Sequence, residues 1–364
     1  MTQPRHTGDS GRAAHPLRDR LHARAYEKHL LLRVLFEITK RCNLRCYHCY
    51  VAGPTDELGT ERILMLLDEF AVEGCMNVTL TGGEVGLRND FLTIARGVKQ
   101  RRMTLSVLTN GTLFDKEQLD ELASLKPHAV NVSIYGGTAA GHEKVTGVPG
   151  SFARSLATVK YLNERGARCN IHTVLMRGNF DDFPKIAALA QDMGCDYRFD
   201  PTVAPRADGD GSVLAHRVSG EQLRDFYLHT LLRDRTREGR LVDLAGEVPS
   251  RPAANCSAGI TLAYVESTGD VYSCMGFPPA LGNVADAPFA EVWHGPRAAA
   301  HRRAMSGPLP VCSRCDLLGY CTVRCPRLAV AEDGDVSGPS RRACELAGVV
   351  KELRTVLREQ KQVC

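Results

Sequence analysis

The chain is 364 residues long with 43% hydrophobic and 24% charged residues, room for two or three packed units and a sizeable core. Its 46 basic and 42 acidic residues leave a formal charge of +4 spread along the chain, too small a bias for a nucleic-acid or membrane-surface partner. Fourteen cysteines exceed what packing needs, and a core of this size needs no disulfide framework, so the sulfur points to metal.

Residues 1–30 read as a polar, Arg- and His-rich tail with no apolar stretch ahead of a small-residue cleavage site, which argues against a signal peptide. The run Leu30–Phe36 is broken by Arg33 and falls well short of the roughly 20 apolar residues of a membrane helix. A cytoplasmic protein is expected, where thiols stay reduced and available to iron or zinc.

Residues 31–200 alternate β-branched runs with stretches of helical period, the pattern of βα units on a parallel sheet. Strands are predicted at Val34–Thr39, Asn77–Thr81, Thr104–Thr109, Ala129–Ile134, Cys169–Leu175 and Asp196–Asp200. Between them, Ile63, Leu64, Leu67, Phe70 and Ala71 form one helical stripe, and Phe152, Leu156, Val159, Tyr161 and Leu162 form another. Six units predict an α/β fold, a partial (β/α)6 TIM-like barrel with its functional groups at the carboxyl ends of the strands.

Chemistry-bearing residues follow those strand ends. Cys42, Cys46 and Cys49 form C-x3-C-x2-C after the first strand; three thiolates on one loop can hold three irons of a [4Fe–4S] cube and leave the fourth open. A zinc knuckle completed by His48 is the alternative, although zinc sites favour C-x2-C pairs with two distant ligands. Thr81-Gly82-Gly83-Glu84 closes the second strand, Thr109-Asn110-Gly111 the third and Val132-Ser133-Ile134-Tyr135-Gly136 the fourth, and Arg154 lies on the next helix.

Residues 201–255 read as a linker, with Pro201, Pro205, Gly209 and Gly211 in a loop and a helix of about 18 residues capped by Ser219. Residues 256–345 hold Cys256, Cys274, Cys312, Cys315, Cys321, Cys325 and Cys344 among Gly and Pro, a small cysteine-rich unit held by metal. A zinc ribbon with spare thiols is its local alternative. Residues 346–364 predict a C-terminal helix, while Cys75, Cys169 and Cys195 read as buried small hydrophobes and Cys364 as a bystander.

Together these motifs resemble the radical S-adenosylmethionine (SAM) superfamily with a C-terminal SPASM-type extension, and most of all its peptide-modifying maturases. The resemblance implies three [4Fe–4S] clusters: one on Cys42, Cys46 and Cys49 that binds SAM, one on Cys256, Cys274 and Cys325 with an open iron, and one on Cys312, Cys315, Cys321 and Cys344. It implies SAM contacts at Gly82, Gly83, Glu84, Asn110, Ser133 and Arg154, with Glu84 at the methionine amino group and Arg154 at the carboxylate.

The implied activity is reductive SAM cleavage to a 5′-deoxyadenosyl radical and oxidation of a ribosomally made peptide or protein. Implied partners are that substrate, a flavodoxin or ferredoxin as reductant and a separate leader-peptide-binding protein. The alternatives are maturation of a tetrapyrrole or quinone-cofactor precursor, or of a sulfatase; the last is disfavoured because Met275 follows Cys274 where those relatives carry an acid. Asp200, Arg206, Asp208 and Glu266 lie near the expected site, but the sequence singles out none as the acid or base.

Overall fold

In a computed structural model of the chain, the residues described are 16–53, 56–237, 256–321 and 324–362. Six strands run through the first part: β1 (Arg33–Thr39), β2 (Asn77–Gly82), β3 (Thr104–Thr109), β4 (Ala129–Ser133), β5 (Cys169–Val174) and β6 (Asp196–Asp200). They are parallel to their neighbours and lie in sequential order. Three strands follow, β7 (Leu262–Val265), β8 (Asp270–Tyr272) and β9 (Gly282–Asn283).

Helices α1 (Pro16–Lys28), α2 (Thr60–Val72), α3 (Phe91–Gln100), α4 (Lys116–Ser124), α5 (Ala139–Thr146), α6 (Ser151–Glu164), α7 (Phe183–Asp192) and α8 (Gly220–Arg237) precede β7. The last four are α9 (Phe289–His294), α10 (Pro296–Met305), α11 (Pro326–Asp333) and α12 (Arg341–Gln362). No helix among the described residues is long and apolar enough to cross a membrane.

Period-two burial accounts for the sheet. Val34, Phe36, Ile38, Val78, Leu80, Leu105, Val107, Val130, Val132, Cys169 and Ile171 pack with the helices in one core. On α2, Ile63, Leu66, Leu67 and Phe70 supply the matching stripe, and Phe70 meets Phe36 edge-on at 5.7 Å. Cys75 and Cys195 join this core, so with Cys169 the three scattered cysteines are buried hydrophobes. Local capping agrees with the packing: Asp115 and Gln118 form a capping box on α4, and Ser219 and Gln222 exchange the same pair of bonds at α8.

Two expectations are corrected. Part of the N-terminal tail is helical, α1, whose Ala25 is buried; residues 1–15 lie outside the described ones. The C-terminal helix begins at Arg341, which places Cys344 inside α12. The cysteine-rich extension joins the barrel's sheet: β7 pairs in parallel with β1, from Arg33↔Leu262 to Phe36↔Val265, and β8 and β9 continue antiparallel. One nine-stranded sheet in the order β6-β5-β4-β3-β2-β1-β7-β8-β9 therefore serves both regions, and Trp293 of α9 donates from its indole to the His29 carbonyl at 3.1 Å.

The predicted linker is also more than a connection. Its first part, residues 201–218, straps the barrel mouth to the extension: Ala207 N–H donates to the Tyr50 carbonyl at 2.9 Å, and the guanidiniums of Arg327 and Arg342 donate to the carbonyls of Pro205 and Pro201. Residues 238–255 lie outside the described ones.

Candidate functional site

The loop after β1 carries Cys42, Cys46 and Cys49. Cys49 N–H bonds the Cys46 carbonyl at 3.0 Å, and the Leu44 N–H points at the Cys42 sulfur at 3.4 Å. Burial, reinforced by Cys49 and Cys42, pushes the Cys46 thiol up to about 12. His48 turns its ring edge-on to Tyr135 at 4.8 Å, and burial holds it down to about 4, a neutral imidazole forming part of the loop's wall.

The Gly-Gly-Glu turn at the end of β2 explains itself by contact. A Cβ on Gly82 would stand 2.2 Å from the Thr39 carbonyl oxygen and one on Gly83 would stand 2.3 Å from that of Arg41, so the cysteine loop rests directly on glycine backbone. Two bonds fasten it there, Gly83 N–H to Thr39 O at 2.7 Å and Glu84 N–H to Arg41 O at 2.8 Å.

Glu84 is wholly buried, and its carboxylate accepts from Thr109 Oγ1 at 2.6 Å, Gly86 N at 2.9 Å and Asn110 N at 2.6 Å. Burial raises its pKa against the opposing pull of those three bonds. The side chain thus ties the end of β2 to the end of β3.

Asn110 continues the scaffold. Its amide donates to Asn43 Oδ1 at 2.9 Å and approaches the Cys42 sulfur at 3.9 Å, while its oxygen accepts from Thr112. Ser133 sits partly exposed at the end of β4 and shares a hydrogen bond with the Tyr135 phenol. Arg154, in the first turn of α6, is exposed with its guanidinium against Gly150. Sequence reasoning missed Ser155 and Thr158 on the same helix, whose hydroxyls donate to the Asn110 and Gly111 carbonyls, both at 2.6 Å. Their i,i+3 spacing on a core-facing stripe was the available signal.

In the extension the seven cysteines form two neighbourhoods. Cys256, Cys274 and Cys325 influence one another electrostatically, as do Cys344 and the trio Cys312, Cys315 and Cys321. Burial, then Cys256, pushes Cys274 up to about 11. All ten thiols are free of disulfides, and among the described residues no three His, Cys, Asp or Glu side chains converge on a single metal ion. The donor set fits iron–sulfur clusters: the thiols are grouped, accessible and free of disulfides, and cations seated among them would hold them as thiolates.

Strand alternation makes the face opposite the core a polar lumen. It carries Glu37 and Thr39 of β1, Thr79 and Thr81 of β2, Ser106 of β3, Asn131 and Ser133 of β4, Asn170 and His172 of β5, and Arg198 and Asp200 of β6. At its amino-terminal end, Asn170 donates to Asn131 Oδ1 at 3.0 Å and Asn77 donates to Thr104 Oγ1 at 2.9 Å. Leu35, Leu108, Ala129 and Val174 are the apolar residues of β1–β6 on this face, and Val174 packs with Tyr135, Met176 and Val203 at the mouth.

Comparison with known proteins agrees with this geometry. The radical SAM superfamily model matches residues 36–190, and the SPASM iron–sulfur cluster-binding domain model matches residues 256–316. The AdoMet-dependent heme synthase of Methanosarcina barkeri is 27% identical over 83% of this chain and 93% of its own length. The subtilosin biosynthesis protein AlbA of Bacillus subtilis is 27% identical over 80% of this chain and 66% of its own. Among solved structures, Streptococcus suis SuiB superposes with a TM-score of 0.70 when bound to S-adenosylmethionine, at 18% identity over 90% of this chain and 81% of SuiB. Its complex with the precursor peptide SuiA gives 0.68, at 19% identity over 92% and 82%.

Proposed function

This chain is an enzyme of the radical SAM superfamily carrying a SPASM iron–sulfur domain, and from that premise we propose that it oxidises a ribosomally made peptide inside the barrel. The polar lumen is the observation that carries the reading. Its amides, hydroxyls and charged groups suit the backbone of an extended peptide, whereas Leu35, Leu108, Ala129 and Val174 are the few apolar side chains its six strands offer to the flat apolar face of a tetrapyrrole. AlbA, a relative named for the biosynthesis of the bacteriocin subtilosin, supports it, and SuiB, which shares the fold, is described bound to a precursor peptide.

When bound, SAM and the cluster on Cys42, Cys46 and Cys49 supply a 5′-deoxyadenosyl radical that takes a hydrogen atom from substrate. The chain's own residues hold the reactants. Gly82 and Gly83 let the cysteine loop close on the strand ends, Glu84 and Asn110 keep β2 and β3 in register beneath it, and Ser133 and Arg154 offer a hydroxyl and a guanidinium to the SAM carboxylate. The strap over residues 201–218 shields the mouth from water. Cys256, Cys274 and Cys325 would hold one auxiliary cluster, and Cys312, Cys315, Cys321 and Cys344 the other.

Co-expression with short peptides encoded beside this gene, read by mass spectrometry, tests the proposal; the expected product has lost two hydrogen atoms, and unmodified peptides throughout would sink it. A second reading, oxidation of a tetrapyrrole precursor, draws on the heme synthase relative matched over nearly its full length. Iron-coproporphyrin III supplied to the reduced enzyme with SAM separates the two, since only this reading predicts a change in its absorbance and mass.

A further inference from the structure

Oxidation of a substrate C–H bond releases a proton as well as a hydrogen atom and an electron, so the lumen must contain a base. Met275, beside Cys274, cannot serve. Glu266 forms a buried ion pair with Lys40 at 2.6 Å, which commits its charge. Asp200 accepts from the Thr202 N–H at 2.8 Å and ends β6 where Arg342 of α12 donates to the next carbonyl, so a cation already stands beside it.

Glu37 differs from these. It lies on the lumen face of β1, is 1% exposed, and receives the Tyr264 phenol on Oε2 at 2.6 Å, a bond that crosses from the barrel to the extension. Its Oε1 is buried without any hydrogen-bond partner. The groups around it are Tyr264, Glu266 and the Ser267 backbone from β7 and the turn after it, Lys40 beyond β1, Cys49 and Tyr50 from the cysteine loop and Tyr272 from β8. Lys40 is held by Glu266, so the Tyr264 phenol, the Ser267 backbone and an already committed Lys40 offset only part of the cost of burying a charge on Glu37, and Oε1 is a site for one proton.

We propose that Glu37, positioned by Tyr264, is the proton acceptor of the oxidation. The inference rests on the oxidative reading above. One hydrogen atom leaves the substrate for the 5′-deoxyadenosyl radical; the remaining radical loses a proton to the Glu37 carboxylate and an electron to an oxidised iron–sulfur cluster of the extension as the new substrate bond forms. The carboxyl then returns its proton to water. Burial places Glu37 at about 7, where a carboxylate is a competent base at neutral pH.

Glu37→Gln, Glu37→Asp and Tyr264→Phe in the reconstituted holoenzyme test this with two readouts. The first is modified peptide formed per 5′-deoxyadenosine released: Glu37→Gln lowers this ratio by about 10²-fold and flattens its rise with pH through neutrality, and Glu37→Asp recovers part of it. The second needs no substrate: an infrared carboxyl band of the wild type ionises near neutrality and is missing from Glu37→Gln. Loss of peptide product and SAM cleavage in proportion, leaving the ratio unchanged, marks a merely structural residue and overturns the proposal, as does a titrating band that survives in Glu37→Gln. A wild-type enzyme that modifies no peptide refutes the substrate class instead, and the infrared band then decides for Glu37 by itself.

Discussion

A single added carbon at Gly83 would meet the Arg41 carbonyl at 2.3 Å, backbone against backbone with no side chain free to give way. Gly83→Ala should therefore lift the cysteine loop from β2. Reconstituted protein is expected to lose about four of about twelve irons and its SAM cleavage, measured by iron assay and 5′-deoxyadenosine release. Glu84 shows where motif reading stops. The spacing located the residue at a strand end, but that its carboxylate is filled by Thr109, Gly86 and Asn110 follows from strand-to-strand proximity that no local pattern encodes.

At the scale of elements, α6 is set by two hydroxyls. Ser155 and Thr158 each cap a carbonyl at the end of β3 and so fix the distance between the helix and the Asn110 turn. Ser155→Ala and Thr158→Val are each expected to lower stability by about 1 kcal/mol in denaturant titrations and to raise the SAM concentration that half-saturates cleavage. The six barrel strands were readable because β-branched runs between helical stripes have few other solutions; predicted and observed bounds coincide at Thr104–Thr109 and Asp196–Asp200. Residues 201–218 were not. Their Pro and Gly content reads as a loop in any context, and only the partners Tyr50, Arg327 and Arg342 make the loop a strap.

Across the whole molecule, the barrel and the extension share one sheet and one core, with Glu37–Tyr264 and Lys40–Glu266 at the seam. The three clusters proposed on ten cysteines predict about twelve irons per chain, falling to about eight with SAM cleavage abolished when Cys42, Cys46 and Cys49 are replaced by Ala. The seam also sets a pH dependence. Glu37 titrates at about 7 when folded and near its ordinary 4.5 when unfolded, so between those values the native state binds the extra proton and stability falls as pH rises, by roughly 3 kcal/mol in all. Below that window the contribution is fully present, and above about 7 it is gone. Glu37→Gln removes this contribution, a result that the difference between wild-type and variant denaturation midpoints at acid and neutral pH would check.

Covalent spacing and period are properties of the chain alone, and they sufficed for the six βα units and the family motifs, while the division of ten cysteines into three, three and four is what the family resemblance implies. The sequence could not show that β7 joins β1, that Glu84 faces inward, or that Glu37 finds a phenol 227 residues away. Those facts depend on which surfaces meet once apolar faces are buried, and a buried polar group takes its role from the partner that folding brings to it.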